Sequence, residues 1–484
     1  MKKRLHIFPF ILILCMLNTA CDEFLNVHPK SEKLERELFK NAQGFEDAIN
    51  GVYGSMQRTQ LYGKDLVWGI PEVLAQNLNG QSTEMTFLAK YDYTNNDDLR
   101  QRLSDTWTYA YQTIGYANNI LNQLNEKSEQ DLPLYNFYKG EMLGVRALLH
   151  FELLRMFAPM NMDARGIPYL KAYSYKVQDF GKVGENYASI LTDLHEAEKL
   201  LKDDEEGIAY PRNNKKYSKF LNYRETHFNL YAVYGLLARV YWMKGDMPNA
   251  AVYAQKIIES GKFPLVGEIE VQDFLAGVLS PKETIFGIYS VSYLKTSRSY
   301  LYNFHSFFSY NPYYDGSGSN HLLPYNAVFD KDTEEGSQDF RRNQFKELTG
   351  YVKFLKLVDY YTIENNVPTE RKDMIPGVTV MHSSEMYLIA AEALLETNYS
   401  KALEYFNSEI TSRGLPRLKD HVKLTKEMIF NEYHKELFGE GQIWYNMKRL
   451  NRDIVSNAET RVIKGSDKVY VIPVPKEEFE YRFN

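Results

Sequence analysis

The residues with the clearest capacity for recognition are aromatic. Tyr300, Tyr302, Phe304, Phe307, Phe308, Tyr310, Tyr313 and Tyr314 make eight of the fifteen residues from 300 to 314. Aromatics form 14% of the whole chain, with 38 Tyr and 27 Phe but 4 Trp, so this run is a local concentration. Rings on a rigid support present apolar faces to the C–H face of a sugar or to peptide side chains, while polar neighbours orient the ligand. Asn311, Asp315 and Asn320 are the polar residues placed to do so. Pro312, Gly316 and Gly318 require that this stretch run over a surface. We therefore expect Tyr300, Tyr302, Tyr310, Tyr313 and Tyr314 to face a ligand. Phe307 and Phe308 have no polar handle and should point inward.

Catalytic chemistry finds no comparable pattern. The chain lacks Gly-x-Ser-x-Gly, His-Glu-x-x-His, the P-loop and Gly-x-Gly-x-x-Gly. Its ten histidines are scattered without ligand-like pairs. Asp330-x-Asp332-x-Glu334 resembles a calcium loop in part, but glycine at the sixth position and an acid at the twelfth are missing. A carboxylate pair for glycoside hydrolysis stays open, because its geometry is set by the fold and not by spacing. Neither a metal nor a cofactor is implied. A net charge of −6 and a pI near 6.0 exclude a broad basic footprint for nucleic acid.

The two cysteines, Cys15 and Cys21, both fall in the first 21 residues, which excludes a disulfide framework in the body. Lys2, Lys3 and Arg4 precede an apolar run from Ile7 to Leu17, too short to span a bilayer and suited to a signal peptide. Leu17-Asn18-Thr19-Ala20 then leads into Cys21, which resembles a bacterial lipobox, in which the thiol is acylated and becomes the new N-terminus. Two or more acyl chains hold a protein stably at a membrane.

The elements that must position the aromatic run are helical. Apolar spacing near 3.6 predicts helices over Gly44–Gln57, Leu99–Leu124, Leu134–Met156, Tyr187–Leu201, Glu225–Lys244, Pro248–Glu259, Ser383–Thr397, Ser400–Ser412 and Lys426–Asn451. Phe228 to Ile258 reads as a helix pair: a Lys244-Gly245-Asp246 turn, then Ala250, Ala254 and Ile257 on the facing side. Glu385–Arg413 repeats that form, and two more pairs are degenerate, giving about four tetratricopeptide-like pairs in a superhelix. Between them Thr59–Asp98, Arg165–Gly184 and Gly261–Thr379 read as long irregular segments, the last with a strand-like run from Glu283 to Tyr289.

Several stretches together resemble the SusD/RagB family of outer-membrane nutrient-binding lipoproteins, over nearly the whole chain. Cys21-Asp22-Glu23-Phe24-Leu25 is similar to its anchored N-terminus, and Trp107…Tyr111…Asn118-Asn119-Ile120 to an early helix. Glu141…Arg146-Ala147, Gly166-Ile167-Pro168 and Leu236-Leu237-Ala238-Arg239 follow in order. The strongest resemblance is C-terminal: Glu385-Met386-Tyr387-Leu388-Ile389-Ala390-Ala391-Glu392, then Glu436-Leu437-Phe438-Gly439-Glu440-Gly441-Gln442-Ile443-Trp444, then Ile472-Pro473-Val474-Pro475. His434 stands where the family usually shows arginine.

The resemblance implies a mainly α fold in which helix pairs support an irregular, loop-rich lobe with a few short strands. The corresponding organisation is a signal peptide at 1–20, a tether at 21–43, helical repeats at 44–260, the aromatic lobe at 261–379 and further repeats at 380–484. It implies capture, without catalysis, of an oligosaccharide or, less readily, a peptide, for a TonB-dependent SusC-like transporter at the cell surface. It also sets an early loop, Leu61–Asn77, beside the late aromatic one, which adds Trp68, Gln76 and Asn77 as ligand candidates. Trp444 and Arg449 take a packing and ion-pairing role. A helical-repeat interaction scaffold and a surface glycoside hydrolase remain as alternatives. Cys21→Ala is expected to release soluble protein or leave uncleaved precursor. Unchanged membrane retention with acyl labelling of that variant would refute the anchor.

Overall fold

The computed structural model describes residues 35–78, 82–174, 176–208, 218–267, 278–280, 282–302, 328–329, 333–348, 351–357, 375–455 and 462–480. The main helices are α1 (Ala42–Met56), α2 (Ile70–Leu74), α3 (Thr83–Ala89), α4 (Asp97–Leu124), α5 (Tyr135–Phe157), α6 (Val183–Leu200), α7 (Leu230–Lys244) and α8 (Met247–Glu259). They continue with α9 (Tyr293–Ser297), α10 (Ser383–Leu394), α11 (Tyr399–Ser412), α12 (Lys426–Glu436) and α13 (Ile443–Arg449). Their starts are written locally. Asn96 Oδ1 accepts from Leu99 N at 2.8 Å, Asn229 Oδ1 from Ala232 N at 3.0 Å and Asn398 Oδ1 from Lys401 N at 3.2 Å. Each satisfies an amide that the first helical turn leaves unpaired.

The helices pack as the expected pairs: α4 on α5, α5 on α6, α7 on α8, and α10 on α11, with α8 also against α10. The turn between α7 and α8 works as its residues require. Gly245 adopts φ +87° to end one helix, and Asp246 Oδ1 accepts from Asn249 N to start the next. Ala250, Ala254, Ala390, Ala391 and Ala402 are all fully buried, so small side chains let the axes approach. Leu236, Leu237 and Val240 fill the seam from α7, each contributing about 1.5–3 kcal/mol by leaving water. A bidentate pair of Arg239 with Glu385, at 2.8 and 2.6 Å, ties α7 to α10.

Three expectations change. The helix expected from Glu225 begins at Leu230, because Arg224–Thr226 forms a 3-10 turn and Asn229 takes the cap. The long helix Lys426–Asn451 is two helices, broken where Gly439 and Gly441 take φ +86° and +75°. A Cβ on Gly439 would meet the Phe354 ring at 2.4 Å, and one on Gly441 the Val67 carbonyl at 2.3 Å, so the break is a close-packed contact. The segment Thr59–Asp98 is not irregular throughout: it holds a π-type turn at Asp65–Gly69 besides α2 and α3.

The late lobe carries strands β3 (Val278–Leu279), β4 (Thr284–Tyr289) and β7 (Ile375–His382) in the order β3-β7-β4, with a hairpin of β5 (Phe345–Leu348) and β6 (Tyr351–Phe354). β1 (Arg165–Pro168) and β2 (Phe180–Lys182) form a separate two-stranded ribbon. The lobe is bound to the helices by buried charge. Arg413, at the end of α11, donates to Glu436 at 2.9 and 2.6 Å, to Glu283 at 2.9 Å and to the Val266 carbonyl at 2.8 Å. Arg341 binds Asp339 at 2.9 and 2.7 Å, Glu436 at 3.0 Å and Glu409 at 3.3 Å, and also pairs with Glu432. Removing one member of such a network strands the others without solvent. Arg413→Met should therefore cost about 3–5 kcal/mol in urea unfolding, whereas Lys40→Met, in an exposed pair with Glu37, should unfold close to wild type.

Candidate functional site

The early segment, the late lobe and the break between α12 and α13 meet at one cavity. It has a volume of about 70 Å³ and is lined by Val67 from the π-type turn, Ser280, Glu283, Tyr293 from α9, Lys356, His382 and Glu440, among others. A water needs roughly 10–15 Å³ of such space, so the cavity has room for several. Tyr293 is buried, with its hydroxyl next to the Trp68 indole. Above them Tyr300 is half-buried. Its ring centre lies 5.8 Å from that of Trp68, and Lys64 Nζ sits 4.8 Å from it.

The floor of the cavity is charged but internally matched. Glu440 accepts from His382 Nε2 at 2.9 Å and pairs with Lys356 Nζ at 2.6 Å, and the same ammonium donates to the Glu436 carbonyl at 2.8 Å. His382 Nδ1 meets Ser384 Oγ, which donates to Glu436 Oε1 at 2.7 Å. Burial opposes a charged imidazole here, but Glu440, Glu283 and Glu436 outweigh it and push His382 up to about 10. Burial likewise opposes the Glu440 carboxylate, yet His382 and Lys356 hold it down to about 2. Glu283, His382 and Glu436 lie close enough together to share a cation. They do not fit one: Arg413 already bridges the two carboxylates, and a protonated His382 has no lone pair to offer.

Comparison with known proteins identifies the scaffold. Residues 23–219 match a family described as "Starch-binding associating with outer membrane", of SusD-like type, and residues 301–482 match the SusD family. The chain belongs to the SusD family. A curated relative, SusD-like protein P2 of Formosa agariphila, is 24% identical over 97% of this chain and 96% of its own length. Among solved structures, a SusD superfamily protein from Bacteroides vulgatus superposes with a TM-score of 0.69 at 22% identity, covering 92% of this chain and 98% of that one. A putative sugar binding protein of the same organism gives 0.68 at 21% identity, over 91% and 96%. A third, named a SusD-like carbohydrate binding protein, gives 0.67 at 18% identity, over 92% and 97%.

In this SusD-family chain the early and late segments meet, at the Trp68–Tyr300 contact. The early candidates themselves are interior. Trp68 is fully buried against Tyr300 and Tyr293. Gln76, at φ +60°, is buried and donates to the Ala89 carbonyl at 3.0 Å and to Tyr91 Oη at 3.2 Å. Asn77 is buried, donating to Glu72 at 2.8 Å and accepting from His434 Nε2 at 2.7 Å. These three hold the loop, and none presents surface to a ligand as arranged. Tyr302 ends the π-type turn Arg298–Tyr302. Phe304, Phe307, Phe308, Tyr310, Asn311, Tyr313, Tyr314, Asp315 and Asn320 lie outside the described residues, as does Cys21. Trp444 is fully buried, and Arg449 pairs with Glu392 at 2.8 Å, which is the packing role expected for both.

Sequence reasoning missed the cavity's charged floor. Glu283, Lys356, His382 and Glu440 come from four separate places in the chain, and no local pattern links them. The placement of Glu440 between two glycines was the one available signal. A pH dependence follows from His382. Its folded value near 10 exceeds its ordinary 6.5, so the folded state holds the proton more tightly. The stabilisation is fully present below pH 6.5 and is lost as pH rises through 10. Urea unfolding from pH 6 to 10 should show the wild-type advantage over His382→Gln shrinking steadily with pH. A constant difference would contradict the buried, protonated imidazole.

Proposed function

We propose that the protein is a surface-exposed, lipid-anchored outer-membrane protein that captures an oligosaccharide and delivers it to a TonB-dependent, SusC-like transporter. The observation that carries this reading is the convergence, in a SusD-family scaffold, of the early and late segments at a cavity with a charged floor. The segment leaving that junction is the densest aromatic run in the chain. Two solved neighbours are named for sugar or carbohydrate binding, which favours a glycan over a peptide. Tyr300 marks where the rings begin. Tyr302, Tyr310, Tyr313 and Tyr314 continue them, with Asn311, Asp315 and Asn320 as orienting groups.

The reading is of binding without turnover. Glycoside hydrolysis needs one carboxyl kept protonated near neutrality beside a second carboxylate. At the cavity, burial would raise Glu283, but Arg413 outweighs it and holds the group low, and Glu440 is held low as well. Both carboxylates are engaged by cations and neither is a proton donor. The lipid anchor at Cys21 and the lid-like role on a barrel rest on the sequence motif and on family membership.

Glycan and peptide arrays should name the ligand, after which calorimetric titration tests the surface. Tyr300→Ala, Tyr310→Ala and Tyr313→Ala should each weaken binding, by about 1–3 kcal/mol where the ring is a hot spot, with little change in melting temperature. Gentle solubilisation of outer membranes should co-purify a large β-barrel protein. Full affinity in destabilised tyrosine variants would move the site elsewhere, and purification without a barrel at any detergent strength would remove the transporter role.

A further inference from the structure

Glu72, on α2, is fully buried and belongs to none of the groups that face the cavity. Its carboxylate reaches across to the break between α12 and α13. Oε1 accepts from Gly441 N at 2.7 Å, and Oε2 accepts from Gly439 N at 3.0 Å and from Asn77 Nδ2 at 2.8 Å. The two backbone amides flank Glu440, the carboxylate that binds both His382 and Lys356 at the cavity floor. Both glycines hold left-handed φ, and both are packed so closely that a Cβ would clash, so the loop has little freedom except the direction these amides set.

We propose that Glu72 is a positioning residue for the cavity: by holding the amides on both sides of Glu440, it aims that carboxylate at His382 and Lys356. One carboxylate thereby couples the early segment to the loop between α12 and α13. α2 follows directly on the π-type turn that carries Val67 and Trp68, and that turn packs against Gly441, next to Glu440. Asn77 extends the clamp to His434 on α12. That the cavity serves ligand binding rests on the proposed function; that Glu72 orients Glu440 does not.

His382 reports on Glu440 directly. The groups facing its ring are Glu440 at 2.9 Å, Glu283 at 3.8 Å, Glu436 at 3.9 Å and the Ser384 hydroxyl, with Lys356 on the far side of Glu440 and Arg413 between Glu283 and Glu436. In full-length protein labelled at histidine, the NMR titration midpoint of His382, assigned through His382→Gln, should fall in Glu440→Gln. It should fall in the same direction in Glu72→Ala and Glu72→Gln, and the double variant Glu72→Gln/Glu440→Gln should go no lower than Glu440→Gln alone. Asn41→Ala, which removes the α1 cap and so only destabilises, should leave it unmoved. Glu72→Gln keeps the volume and decides the matter if Glu72→Ala does not fold. An unmoved His382 midpoint in folded Glu72→Gln, additive shifts in the double variant, or failure of Glu72→Gln to fold would each overturn the proposal. Empty glycan arrays beside a shifted His382 would refute the binding role and leave the positioning role standing.

Discussion

The fold turns on one guanidinium. Arg413 has no exposure and sits between Glu283, which directly precedes β4 of the strand-bearing lobe, and Glu436, which closes α12. Neither helix packing nor the small sheet alone would fix where the lobe lies on the superhelix, because apolar surfaces can slide. A buried arginine with two carboxylates cannot, since any displacement strands a charge away from water. Arg341 adds a second such centre through the shared Glu436, so the C-terminal helix pair and the lobe are locked as one unit.

That lock extends into the cavity. Glu436 passes its influence through Ser384 to His382, and His382 meets Glu440, which meets Lys356. The chain of contacts runs from the deep core to the cavity floor, with each carboxylate along it matched to a cation or a hydrogen-bond donor. A binding surface built on such a floor is preorganised, and ligand affinity then spends little on ordering the protein.

His434 shows how the same scaffold holds a buried imidazole without a carboxylate partner of its own among the described residues. Burial holds its imidazole down to about 4, so it is neutral and donates to Asn77 from a stacked position on Phe438. Asn77 in turn serves Glu72.

Sequence alone determined the helices and their pairing, because these are local properties. Alanines at facing positions, asparagine caps and the Gly245–Asp246 turn act within a few residues and read directly as α7 against α8 and α10 against α11. Motif order along the chain likewise carried the family, and the aromatic run from Tyr300 raised the expectation of a ligand-facing segment. Tertiary structure decided the rest. Trp68, Gln76 and Asn77 have the side chains of ligand contacts, yet neighbours distant in sequence, Tyr293, Tyr91 and His434, draw them inside. The split of Lys426–Asn451 depends on Phe354 and Val67 pressing on two glycines, a pressure no helical periodicity records. The charged floor unites Glu283, Lys356, His382 and Glu440 from across 158 residues of chain. Each alone is an ordinary polar residue. Only burial beside the others, where every charge must find its partner, makes them a site.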